Sequence, residues 1–190
     1  MSDRPFIVGN WKMHGTRAML GEARAIRRLG EMVLAGKAPA SVDRDPHRGV
    51  RYLKEAALNG DYRALISLEK LRQKNLSHSP ALEDIIDIEK ERAETGDPVV
   101  AWRLAKRYRL GDGVEISSAS EALWLEPAAA ASPKDFPHAN KAAFRLCELS
   151  ISGASPAVLD VADLHWCEIA SERGDPAARI ILGRIATLFD

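Results

Sequence analysis

The sequence predicts an all-α protein, an α-solenoid of antiparallel helix pairs, and three observations predict it. The first is the pair Gly-Asp, which closes a helical stretch three times, in EAALNGDYRALISL, ERAETGDPVVAWRL and IASERGDPAARIIL. Gly at the residue after a helix adopts the left-handed conformation without a Cβ penalty. Asp then accepts hydrogen bonds from the first free amides of the next helix. Pro98 and Pro176 follow directly, at the first helical position, where a missing N–H costs nothing. The second observation is spacing: Gly60, Gly96 and Gly174 lie 36 and 78 residues apart, the second being close to twice the first. A period in this range marks a helical-repeat solenoid. The third is register. Leu68, Leu104 and Leu182 each stand seven residues after the aspartates Asp61, Asp97 and Asp175, and Ala64, Val100 and Ala178 stand three after them. Each helix thereby carries one apolar stripe.

Taken in order, residues 5–10 read as a short strand and 16–35 as a helix. Residues 37–47, with APASVDRDPH running through them, read as a polar linker. The repeat region follows over 48–190, with helices near 48–58, 62–74, 80–94, 98–109, 117–131, 138–150, 157–172 and 176–189. Ala139, Ala142, Ala143 and Leu146 repeat the stripe of Ala101, Leu104, Ala105 and Tyr108, so a further helix fills the double period. There the Gly-Asp turn is replaced by SPKDFPHAN, where Pro133 and Pro137 interrupt the helix. Small residues at recurring positions let helices approach closely, while Leu and aromatic residues fill the space between them. The Trp and Tyr side chains are therefore expected in the core.

The best-formed unit, GDPVVAWRLAKRYRLGDGVEISSASEALWLEPAAAAS, resembles a Sel1-like repeat, a relative of the tetratricopeptide repeat. The resemblance rests on Leu104, Ala105 and Tyr108 in a first helix, Gly111, Gly113 and Val114 in a Gly-x-Gly-Val loop, and Ala122 and Trp124 in a second. It covers about residues 45–190, and ILGRIATLF, with Leu182 and Gly183, resembles another first helix. Around Leu76–Glu83 the Gly-x-Gly loop is missing. The resemblance implies a scaffold that holds a peptide or helix of another protein, with no cofactor and no metal. GDGVE lacks the alternating carboxylates of a calcium loop.

A second resemblance points elsewhere. RPFIVGNWKMHGTRAMLGEARAI, within residues 4–35, is similar to the opening strand, loop and first helix of triosephosphate isomerase. In that family the Asn and Lys of the GNWKM loop line the active site, which places Asn10 and Lys12 as the matching positions. A cation beside a developing enediolate stabilises its charge. The rest of that enzyme's site has no counterpart. A closed eight-fold barrel needs about 250 residues, the chain has 190, and neither the electrophilic His motif nor the Glu base motif is present. Without a base at the substrate carbon, isomerisation has no mechanism. The expectation is a non-enzymatic chain carrying a vestige of an isomerase site.

Composition narrows the partners. Lys plus Arg and Asp plus Glu each number 27, so no long-range attraction to nucleic acid or anionic membrane is expected. No apolar run approaches the ~18 residues of a membrane span. The N-terminus lacks the plan of a signal peptide, which suggests the cytoplasm. Cys147 and Cys167 are too few for a disulfide framework and are expected as buried free thiols. His165 with those two cysteines forms no recognised metal spacing. Glu83, Asp84, Asp87 and Glu91 fall at helical spacings and read as a solvated face.

Overall fold

The structure, a computed structural model, describes residues 13–152 and 161–189. Among them the regular elements are all helices: α1 (Met13–Leu34), α2 (Pro46–Leu58), α3 (Tyr62–Gln73), α4 (Leu82–Glu94), α5 (Pro98–Leu110), α6 (Ser118–Ala130), α7 (Ala139–Ile151), α8 (Val161–Glu172) and α9 (Pro176–Phe189). The fold of the described residues is all-α. The strand expected at residues 5–10 lies outside the described residues.

The turns show how local sequence dictates this architecture. At each Gly-Asp the glycine has positive φ: 102° at Gly60, 87° at Gly96 and 90° at Gly174. The Asp61 N–H donates back to the Ala56 carbonyl and the Gly60 N–H to the Ala57 carbonyl. The same pair of bonds recurs from Asp97 to Arg92 and Gly96 to Ala93, and from Asp175 to Ala170 and Gly174 to Ser171. This is the Schellman arrangement, which satisfies carbonyls that a helix end leaves free. The aspartate then starts the next helix. Oδ1 of Asp61 accepts from the Arg63 N–H, Oδ1 of Asp97 from Val99 and Val100, and Oδ1 of Asp175 from Ala177 and Ala178. One dipeptide thus closes one helix and opens another with no residue to spare.

The chain divides into two compact units, residues 1–81 and 82–190. In the first, α1 packs on α2 and α2 on α3. Buried in it are Val33, Val50, Leu53, Leu65 and Leu68, together with Ala23, Ala56, Ala57 and Ala64. Gly30 and Gly49 meet where α1 crosses α2: a Cβ on Gly30 would lie 2.9 Å from the Gly49 carbonyl, and one on Gly49 would lie 2.7 Å from Leu34 Cγ. From their spacing in the sequence, Met19, Ile26 and Val33 are expected to lie along the first repeat as a cap, and the structure corrects this in part. Val33 is buried and Ile26 half-buried, but Met19 faces solvent, and Ala23, Arg27 and Gly30 complete the face instead. Small residues win because the helix axes come close.

In the second unit each helix from α4 to α9 packs on the next in sequence. One cluster joins Ile86, Ala93, Ala101 and Leu104. A larger one joins Ala105, Leu125, Ala128 and Phe136 to Ala139, Ala142, Ala143, Leu146, Ala170 and Ala178. Ser117 caps α6 by accepting from the Ser120 N–H, and Pro127 is carried inside that helix.

Gly111 and Gly113 shape the connection from α5 to α6, with φ of 71° and 76°. Gly111 ends α5 by donating to the Arg107 carbonyl. Gly113 is also crowded: a Cβ there would overlap Leu82 and lie 2.8 Å from Ile86 Cδ1. Gly96 shares the positive φ but has open space around it. Gly113→Ala is therefore expected to cost about 2–3 kcal/mol, from backbone strain and overpacking together. Gly96→Ala is expected to cost about 1 kcal/mol from strain alone. Urea midpoints of the two variants at unchanged m would measure the difference, and equal losses would remove the steric component.

Candidate functional site

Among the described residues, the polar side chains gather in a set of buried carboxylate–guanidinium clusters. Glu89 on α4 is completely buried. Its carboxylate accepts from Arg107 Nε at 2.6 Å and Nη2 at 3.2 Å, both from α5, and from Arg103 Nε of the same helix. Arg107, itself almost wholly buried, also donates through Nη1 to the Asp112 carboxylate at 2.5 Å. Asp112 sits between Gly111 and Gly113. The Gly-x-Gly loop is thereby tied to α4 twice, ionically through Arg107 and Glu89, and sterically through Gly113 against Leu82 and Ile86.

Two further clusters repeat the theme. Glu121 on α6 accepts from Arg145 on α7 at 2.8 Å and 3.0 Å, and Arg145 also reaches Glu148. The Glu121 hydrogen bond, opposed by burial, holds the Arg145 guanidinium above the ordinary arginine range. Arg27 on α1 donates Nε to Asp61 Oδ2 at 2.8 Å and Nη1 to both oxygens of Glu31, and Glu31 accepts from Ser67. The Asp61 hydrogen bond is the main cause of the raised Arg27 pKa. Asp61 therefore caps α3 with one oxygen and anchors α1 with the other. Asp97 divides its oxygens in the same way, between the α5 amides and Arg92. Paired this way, these carboxylates fix helix to helix. In the Arg27 cluster the Glu31 carboxylate also accepts from the Ser67 hydroxyl at 3.1 Å, and there it is already paired with Arg27.

The residues singled out in the sequence distribute as follows. Leu68 and Leu104 are fully buried, whereas Leu182 is half-buried on the last helix. Tyr108 and Trp124 are half-buried against the Ile86–Leu104 cluster. Gly60, Gly96, Gly111, Gly113 and Gly174 hold the turns described above, with Asp61, Asp97 and Asp175 beside three of them. Asn10 and Lys12 lie outside the described residues.

An aromatic group escaped the sequence reasoning. The Trp102 indole stacks on the His138 imidazole at 5.8 Å and 15°, and both meet Phe136 edge-on. Phe136 is buried, Trp102 half-buried and His138 exposed. The SPKDFPHAN connection thus folds back onto α5. The signal was present in its two aromatic residues, but nothing in their spacing points to Trp102.

The cysteines require the main correction. Cys147 on α7 and Cys167 on α8 are bonded to each other, with their Cα atoms 4.6 Å apart, and no described cysteine is free. The expectation of buried thiols was right about burial and wrong about oxidation state. The two residues stand 20 apart, on the facing stripes of neighbouring helices, and alanines let those helices come close enough for the bond. Among the described residues no three His, Cys, Asp or Glu side chains gather as a metal site. No described helix is long and apolar enough to cross a membrane.

No protein-family model matches the chain, and no curated protein does. Among solved structures it is similar to a Sel1 repeat protein from Oxalobacter formigenes, at 21% identity over 88% of this chain and 65% of that one, with a TM-score of 0.46. The chain thus spans somewhat less than two thirds of that structure. At this identity and score the likeness says nothing about activity or partners.

Proposed function

We propose that the chain is a protein-interaction module of the Sel1-like helical-repeat type, which holds a peptide or helix of another protein along its helix faces. The observation that carries this is the thrice-repeated Schellman–aspartate turn, which joins one helix to the next by one local rule and recurs where a new repeat unit begins. Helical repeats built in this way present extended surfaces for binding. The matching Gly-x-Gly-Val loop of residues 111–114, buttressed by Leu82 and Ile86, supports the family assignment. The repeat region is assigned to residues 48–190. The segment 1–36, joined through 37–47, is a non-repeat addition whose helix caps the first pair.

The test uses the immobilised full chain in extract of its source organism, followed by calorimetry with each recovered protein. A saturable one-to-one complex of micromolar or better affinity is expected. In parallel, the chain is given glyceraldehyde 3-phosphate in a coupled isomerase assay, and no turnover above buffer is expected. Turnover abolished by Lys12→Ala would replace the binding function with an isomerase one.

A further inference from the structure

We infer that the Cys147–Cys167 bond is a folding-stage clasp, made in an oxidising compartment and then sealed by the packing of α8 on α7. Three observations converge on it. Both sulfur-bearing residues are fully buried. The bond joins two helices whose fully buried residues in the shared cluster are mostly alanine, Ala139, Ala142 and Ala143 with Leu146 on α7 and Ala170 on α8, while Phe144, Leu149, Trp166 and Ile169 are only partly buried against it. Alanine removes little apolar area from water, and hydrophobic stabilisation scales with that area. The bond also closes a 20-residue separation, and closing such a loop lowers the entropy of the unfolded chain.

The chemistry fixes the order of events. One cysteine thiolate attacks a disulfide of an external oxidant, such as oxidised glutathione or the disulfide form of a thiol–disulfide oxidoreductase, and displaces one of its thiolates. The second cysteine thiolate then attacks the first cysteine's sulfur and releases the other oxidant thiolate. Two protons leave the chain's thiols, two electrons pass to the oxidant, and one disulfide replaces another. Each attack needs access to a sulfur, and the folded core gives none. The bond therefore forms before α8 docks, and afterwards it is shielded from reductants by the same packing. Bonds of this kind persist in secreted, periplasmic or extracellular proteins and are rare in a reducing cytosol. On this inference the chain matures outside a reducing cytosol, in contrast to the cytoplasmic placement expected from the sequence.

The test begins in cells of the source organism, quenched in acid and alkylated under denaturing conditions before any oxidation in lysate. Mass spectrometry of the full chain is expected to find Cys147 and Cys167 unalkylated. Alkylation of both would show free thiols in the cell and overturn the inference. A second measurement separates a sealed clasp from an exposed bond. Purified chain held in dithiothreitol under native conditions is expected to stay bonded for hours, and to take up two alkyl groups once denaturant is added. Complete native reduction within minutes would overturn the sealing. Finally, the paired change Cys147→Ala and Cys167→Ala is expected to lower Tm by about 5–10 °C. An unchanged Tm would show that the bond is not a clasp.

Discussion

Glu89→Ala is expected to destabilise the chain by about 3–5 kcal/mol, the cost of breaking a buried ion pair from one side. The carboxylate is fully buried and receives Arg107 twice and Arg103 once. Removing it leaves the Arg107 guanidinium in the core without the carboxylate that accepts two of its hydrogen bonds. Glu89→Gln keeps the shape and loses the charge, so it should fall between wild type and the alanine variant. The double variant Glu89→Leu with Arg107→Leu should recover much of the loss, because replacing both partners by apolar groups removes the desolvation cost as well as the attraction. Arg103 and Asp112 can accept this change, since their side chains already touch solvent. A double-mutant cycle from urea denaturation measures the coupling directly. Additive losses in that cycle would mean that the pair is not a unit. Asp43→Ala, which removes the exposed partner of Arg48 and an exposed acceptor for the Asp45 N–H, should cost well under ~1 kcal/mol, as exposed pairs contribute little.

The contrast between Glu89 and Gly96 explains what was legible in the sequence. The Gly-Asp turns could be read because every bond they make is local. The glycine's φ is a single-residue property, and no back-donated amide or aspartate cap links residues more than five apart. The apolar stripes were legible for the same reason, so Leu104 and Leu68 could be placed from spacing alone. Glu89 looked like one carboxylate in an acidic run, EDIIDIEKERAE, whose other members Glu83, Asp84 and Asp87 lie off the core. Its burial depends on partners 14 and 18 residues away, on a helix whose rotation no composition reveals. The disulfide was missed through a similar gap. Two cysteines on separate stripes give no count or spacing signal, and only the close approach of α7 and α8 brings them together. Met19 shows the limit in the other direction: a large apolar residue at helical spacing was assigned to a packing face that the structure gives to Ala23 and Gly30.

Deleting residues 1–40 is expected to unfold the first unit. α2 and α3 are 13 and 12 residues long, at the length where helices without tertiary support are marginal in water. α1 supplies that support in three ways. Its Gly30 lets α2 approach at Gly49, so that Val33 and Ala23 are buried with Val50 and Leu53 in one core. Its Arg27 neutralises Asp61, whose side chain is only 5% exposed. Its Glu31 binds Ser67 on α3. Without α1 the α2 stripe faces water and Asp61 holds a buried-side charge with its guanidinium removed. Hydrogen exchange followed by mass spectrometry should then show the amides of residues 46–73 exchanging near the rate of an unfolded chain, in contrast to the intact protein. Arg27→Ala should reproduce a fraction of this loss, since it removes the ion pair while leaving the helix contact and the Asp61 cap on Arg63 in place. Full protection of 46–73 in the truncated chain would show that α1 is an appendage and that the first pair stands without its cap.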